Sequence, residues 1–444
     1  MTNGINRRRF NAAAVTTAAA GALGLFGFAE VGKAATKVAQ ETGGDKSSIR
    51  PFRVNVPEAE LVELRRRVRA TKWPERETVT DATQGVQLAT VQAVARYWAK
   101  EYDWRKVEAK LNALPQYMTE IDGLDIHFIH VRSKHENALP LIVTHGWPGS
   151  IIEQLKIIDP LTNPTAHGGS ASDAFDVVIP SMPGYGFSGR PTTTGWDTAH
   201  IARAWVVLMQ RLGYKKFVAS GGDWGAVITD VMAAQGHPEL LAIHNNMPGV
   251  IPPDIDKAAL SGAPVPPGLS EDEKAAYEQL VFVYSKGIGY AYQMGLRPQT
   301  LYGIADSPVG LAGYLLDHDA RSYAHIAQLF AGQPFGNITR DDILDNITLY
   351  WLTDTALSSA RLYWENKLTF FGPKGVTIPV AVSAFPEELY QAPRSWAERA
   401  YPNLMYYNKL DKGGHFAAWE RPQLFSQEVR AGFRPLRTLK SATS

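Results

Sequence analysis

The sequence predicts an α/β protein with a mostly parallel central sheet, a helical cap inserted within that core and a helical extension ahead of it. Short, nearly continuous apolar runs recur at residues 126–131, 139–144, 175–179, 216–220, 241–245, 376–383 and 404–407. Runs this short and apolar suit strands covered on both faces. Amphipathic stretches such as 198–212 and 224–235 lie between several of them, the alternation that produces parallel pairing. Between Pro248 and about Glu365 the strand signal stops and helical, aromatic sequence takes over, with Pro252-Pro253 and Pro264-Val265-Pro266-Pro267 near its entry. An insertion of that length predicts a cap over the carboxyl ends of the strands, with a site beneath it.

Ahead of the core, residues 1–35 have the anatomy of a signal peptide. Asn6-Arg7-Arg8-Arg9-Phe10 gives a basic start, residues 12–29 are Ala/Gly-rich and apolar, and Ala34 and Ala35 supply the small residues of a cleavage site. The paired arginines before Phe10 resemble a twin-arginine signal, which implies export to the periplasm or beyond. The alternative is an uncleaved anchor, since eighteen apolar residues just span a bilayer. Residues 36–50, polar and glycine-containing, read as a linker. Residues 51–115 are helical in pattern, and their Arg65-Arg66-Arg67 run reads as one solvated helix face. The core then divides into residues 116–250 and 366–444 around a cap at 251–365.

Composition excludes several chemistries. Forty-five basic and 44 acidic side chains give a formal charge of +1, so nucleic acid is not an expected partner. With no cysteine there are no disulfides, thiolate nucleophiles or Cys-ligated metals. His127 and His130, three apart on a predicted strand, point to opposite faces and cannot chelate together. Gly168-Gly169 has no phosphate-binding lysine nearby, and no cofactor is inferred.

The chemistry-bearing constellation begins at Ser220-Gly221-Gly222-Asp223-Trp224-Gly225, between a predicted strand and a predicted helix. Its spacing is that of a nucleophile elbow, in which small residues stand two before and two after the nucleophile because backbone crowds both positions. The nucleophile is then Asp223, a carboxylate that needs no base before attacking a saturated carbon. The resulting ester must be hydrolysed, and Gly413-Gly414-His415-Phe416 offers a base for water. An acid to orient that imidazole falls at the end of the preceding strand, where Glu387 and Glu388 are both candidates. The other place for it, after residues 241–245, holds only Asn245-Asn246. His145-Gly146-Trp147-Pro148 follows another strand. Its Trp147 amide, with that of Trp224, is expected to stabilise an oxyanion, its Trp147–Pro148 bond to be cis, and His145 and Pro148 to contact substrate. Gly184 and Gly186 mark a further tight loop beneath the pocket.

From Pro51 to the end the chain resembles the microsomal-type epoxide hydrolases, a group that includes the juvenile hormone epoxide hydrolases, with the α/β-hydrolase fold. The likeness rests on Pro51-Phe52-Arg53-Val54, Thr71-Lys72-Trp73-Pro74, Tyr102-Asp103-Trp104-Arg105, Gly221-Gly222-Asp223-Trp224-Gly225 and Gly414-His415-Phe416-Ala417-Ala418-Trp419-Glu420. It implies a hydrophobic epoxide and water as substrates, a detoxifying role, Asp223 as nucleophile, His415 as base and Glu388 as the acid. It also implies two cap tyrosines, Tyr290 and Tyr363, as donors to the epoxide oxygen; among eighteen tyrosines spacing alone does not choose them. A homodimer is compatible with the sequence. The rival readings are a haloalkane dehalogenase using the same Asp nucleophile, against which the tyrosines and the N-terminal region speak, and a silent binder of hydrophobic ligands.

Overall fold

The computed structural model describes residues 45–441; the segment read as an export signal lies outside them. Nine strands form one sheet: β1 (Arg50–Pro51), β2 (Gln116–Ile121), β3 (Leu124–Val131), β4 (Leu139–Thr144), β5 (Phe175–Pro180), β6 (Phe217–Gly221), β7 (Leu240–Asn245), β8 (Val380–Ala384) and β9 (Leu404–Lys409). Their order is β1-β2-β3-β5-β4-β6-β7-β8-β9. The first three pairings are antiparallel, and everything from β5 to β9 is parallel. From β4 to β8 the parallel strands are nearly all buried, β6 and β8 along their whole length, while the edge strand β9 is only partly covered. That is why they read as unbroken apolar runs instead of alternating ones.

Two strands escape the sequence reading. β2 mixes polar and apolar residues without a strict alternation after a helix-rich stretch, and β1, which straddles the end of the expected linker, is only two residues long. β2 and β3 form a hairpin whose turn residues Asp122 and Gly123 both have positive φ, 50° and 79°; Asp-Gly is the usual chemistry of such a turn. The run expected from residue 376 becomes a strand only at Val380. Pro379 has no N–H to give a ladder, and it contributes just its carbonyl, to Ile243 N at 3.1 Å.

In front of the sheet stand α1 (Glu58–Arg69), α2 (Leu88–Lys100) and α3 (Trp104–Asn112). Asp103 caps α3, its side chain accepting from Arg105 N at 3.0 Å. Trp98 and Trp104 are about 1 % exposed, and fully burying side chains of this kind contributes roughly 2–3 kcal/mol each. The arginine run is ion-paired as well as solvated: Arg66 and Arg67 both reach Glu63, and Arg67 also donates to the Asp306 carbonyl at 2.8 Å.

Helices flank the sheet, among them α4 (Thr198–Arg211) and α5 (Trp224–Ala234). From β7 to β8 the chain is helical. This cap includes α6 (Gly289–Leu296), α7 (Pro308–Leu316), α8 (Arg340–Leu352) and α9 (Ala356–Glu365), with α6 packed on α9. Hydrogen bonds from Tyr97 and Tyr102 to Asp341 and Asp345, both at 2.8 Å, tie the N-terminal helices to α8. α10 (Pro422–Ser441) closes the sequence against the sheet. Among the described residues no helix is long and apolar enough to cross a membrane.

Candidate active site

β6 ends at Gly221 and α5 starts at Trp224, so Gly222 and Asp223 alone reverse the chain. Asp223 takes φ 52° and ψ −128°, a conformation strained for a residue with a side chain. The turn closes only because both flanking positions lack a Cβ. One at Gly221 would lie 2.2 Å from the Gly225 carbonyl oxygen, and one at Gly225 would lie 2.0 Å from that of Thr144. The strain projects the Asp223 carboxylate out of the sheet, at the carboxyl end of a central strand.

Beside it runs the loop after β4. Trp147 N–H donates to Asp223 Oδ1 at 2.8 Å, and the Trp224 amide is a second backbone donor to the same carboxylate. The Trp147–Pro148 bond is cis. His145 differs from expectation. It is fully buried, with Nδ1 on the Gly146 carbonyl and Nε2 accepting from Met182 N–H. Both ring nitrogens are thus spent inside the protein, and His145 braces the loop instead of offering a substrate contact. Pro148 is buried too, its carbonyl held by Asn346 Nδ2 at 2.7 Å. The Gly184 and Gly186 loop has φ of 83° and 49° and packs against Ser358, whose hydroxyl donates to the Gly184 carbonyl at 2.6 Å.

His415 arrives from the loop after β9. Its Nδ1 is hydrogen-bonded to Glu388 Oε1, and its Nε2 lies 3.6 Å from Asp223 Oδ2. Of the two candidate acids, Glu388 is the one turned inward. It is completely buried; Oε1 also accepts from Leu389 N–H at 2.8 Å, Oε2 accepts from Asn246 Nδ2 at 3.2 Å, and its carbonyl holds Arg321 at 2.7 Å. Glu387 points outward, its side chain 42 % exposed and paired with His325 at 3.3 Å. Asn246, from the strand end without a carboxylate, therefore supports the acid by hydrogen bonding.

Burial raises the Asp223 pKa to about 6 against the pull of His415 and the two tryptophan amides, so the group is ionised at neutral pH. Burial would depress His415, but Glu388 and Asp223 outweigh it and carry the imidazole up to about 10. Placed between Glu388 and Asp223, the imidazole is thus biased toward its protonated form.

The cap supplies the roof. Tyr290 on α6 stacks over Trp147 with ring centroids 4.9 Å apart. Tyr363 on α9 stands edge-on to Trp224 at 4.8 Å and lies 6.1 Å from Tyr290. Burial and the Asp223 charge push both phenols well above their ordinary pKa, keeping them protonated donors. Next to them is a residue that no motif singles out. His318, just past α7, is 2 % exposed and 4.6 Å from the His415 ring. Neither of its nitrogens has a hydrogen-bond partner, and burial with the His415 charge drives its pKa well down. The ligating atoms of Asp223, His318 and His415 lie within 4.8 Å of one another, close enough for a cation. The His127 and His130 imidazoles serve separate partners, Ser181 and Gln116 for one, Tyr214 for the other.

The sheet order, the Asp elbow and the histidine on the last loop define a hydrolase of the α/β-hydrolase fold. Residues 49–154 match the family described as epoxide hydrolase N terminus, and residues 140–279 the alpha/beta hydrolase fold. The chain is 50 % identical over 390 residues to the "Putative epoxide hydrolase" of Stigmatella aurantiaca, covering 88 % of this chain and 86 % of that one. It is 34 % identical over 404 residues to epoxide hydrolase 1 of Oryctolagus cuniculus, covering 87 % and 89 %. In structure it resembles the juvenile hormone epoxide hydrolase of the silkworm Bombyx mori, with a TM-score of 0.77, 29 % identity and coverage of 89 % and 96 %. The chain belongs to the epoxide hydrolase family.

Proposed function

We propose that the protein converts a hydrophobic epoxide into a vicinal diol through an ester on Asp223. The observation that carries this reading is the division of labour between the two Asp223 oxygens. Oδ1 is held by the Trp147 amide, while Oδ2 lies toward His415. Oδ2 attacks a ring carbon, the carbon–oxygen bond of the epoxide breaks, and Tyr290 or Tyr363 gives the departing oxygen its proton. Esterification removes the Asp223 charge that helped hold a proton on His415; that proton makes good the one lost by the tyrosine and leaves a neutral base. His415 Nε2 then takes a proton from water, the hydroxide adds to Cγ, and the amides of Trp147 and Trp224 stabilise the oxyanion on Oδ1. Collapse breaks the bond between Cγ and the former Oδ2, which leaves as the second diol oxygen and takes the proton of the added hydroxyl; the water oxygen stays on Asp223, again a carboxylate beside a protonated His415. A single turnover in ¹⁸O-water is therefore expected to yield unlabelled diol and label on the Asp223 peptide. Label in the diol after one turnover would mean direct water attack and would sink the scheme.

Residues 1–35 are further proposed to export the folded enzyme, placing it where it would detoxify epoxides before they enter the cell. The support is the basic, apolar and small-residue sequence of that segment. In a bacterial host the mature enzyme is expected in the periplasmic fraction with its amino terminus near residue 36, and Arg7→Lys with Arg8→Lys should retain it inside. Cytoplasmic enzyme starting at Met1 in the unaltered form refutes the export reading.

A further inference from the structure

Against Asp223, and lined by neither cap tyrosine, lies a cavity of about 20 Å³ whose walls include Glu153, Gln154, Asp223, Asn246 and His415, room for about one water. Three buried polar atoms of these residues have no hydrogen-bond partner: Glu153 Oε2, Gln154 Oε1 and His415 Nε2. Unpaired buried polar atoms are costly, and three of them around one water-sized space point to a common ligand. Glu153 and Gln154 belong to the short helix Ile151–Gln154, and Ser150 caps it by accepting from Ile152 N at 3.1 Å. At the third helical position Glu153 would ordinarily turn back to its cap. Here it turns inward, with Oε1 accepting from Gln154 Nε2 at 2.8 Å. Its other oxygen lies where a Cβ on Gly149 would come within 1.8 Å, so the glycine makes room for this placement.

We propose that Glu153 and Gln154 hold the hydrolytic water, a role that rests on the Asp223 ester described above. The water donates one proton to His415 Nε2, the one it will lose, and the other to Gln154 Oε1. It accepts from the Glu153 Oε2 hydroxyl and has its remaining lone pair for Cγ of Asp223. The assignment uses all four hydrogen-bonding directions of a water molecule once. It needs Glu153 to be a neutral acid, and burial raises its pKa to about 8 despite the opposing pull of His415, the Gln154 hydrogen bond and the Gly146 amide, with Asp223 adding to the rise. An uncharged Glu153 also adds no further negative charge beside the nucleophile.

The two half-reactions separate this role from a structural one. In Glu153→Leu, alkylation followed by tryptophan fluorescence should stay within about threefold of wild type. Decay of the ester should slow about 100-fold, and the adduct should build up on the Asp223 peptide by mass spectrometry. Glu153→Gln, which keeps a neutral donor of the same shape, should restore decay to within about tenfold. If Glu153→Leu does not fold, Gln154→Leu carries the test, with the same split between phases and a smaller effect. Equal slowing of both phases, or ester decay at the wild-type rate, overturns the proposal. His415→Gln run beside them tells the two readings apart: adduct there but not in Glu153→Leu refutes the water site alone, and no adduct in either refutes the ester and the water site with it.

Discussion

Replacing His415 by Gln is expected to leave ring opening intact and to stop the enzyme at the ester. Turnover should fall by roughly 10³-fold, within the range for loss of a positioned general base, while an adduct of one substrate mass accumulates on the peptide containing Asp223. The expectation follows from placement. His415 Nε2 lies 3.6 Å from Oδ2, too far for a hydrogen bond, and in its absence the Trp147 and Trp224 amides still favour the ionised Asp223, so attack on the ring takes no proton to or from the imidazole. Mass spectrometry of the intact protein after mixing checks it; a variant equally slow and free of adduct would show that His415 acts in ring opening. Glu388→Gln should give a weaker form of the same trap. Glu387→Gln, which alters an exposed pair with His325, should turn over within about twofold of wild type.

The cap tyrosines are expected to fail at the opposite step. Opening the ring places negative charge on oxygen, and loss of one preorganised donor to such a charge costs roughly 10²–10³ in rate. Tyr290→Phe and Tyr363→Phe should each slow alkylation by about 10–100-fold, and the double variant by at least about 10³-fold, with no adduct at steady state. Stopped-flow fluorescence is well placed to read this, because Tyr290 packs on Trp147 and Tyr363 on Trp224. Adduct accumulation in the double variant would assign the phenols to ester hydrolysis instead. Partial redundancy is expected from their pairing, since rings 6.1 Å apart under one cap can serve the same oxygen, so the two losses should not simply add.

Much of this site is local chemistry, which explains how far a linear reading reaches. The elbow is a five-residue demand for two glycines around one strained side chain, and the clash distances at Gly221 and Gly225 are its cause. Buried parallel strands announce themselves as apolar runs because both faces are covered. β1 and β2, at one end of the sheet, do not, since one is two residues long and the other is half-polar. Glu388 and Glu387 are adjacent and chemically alike, so only the direction in which the chain leaves β8 separates the buried acid from the exposed one.

By itself, the sequence determined the elbow at Asp223, the glycine loop that carries His415, the succession of the buried parallel strands and the place where a cap interrupts them. Each follows from a pattern within a single segment. The tertiary structure decided what depends on segments far apart in the chain: that Asn246 props Glu388, that His145 braces a loop, that His318 reaches the ring of His415, and that Glu153 and Gln154 turn into a cavity against Asp223. The physical reason is that a side chain's direction and neighbours are fixed by packing, and packing brings residue 153 to residue 415 through contacts that no local pattern encodes.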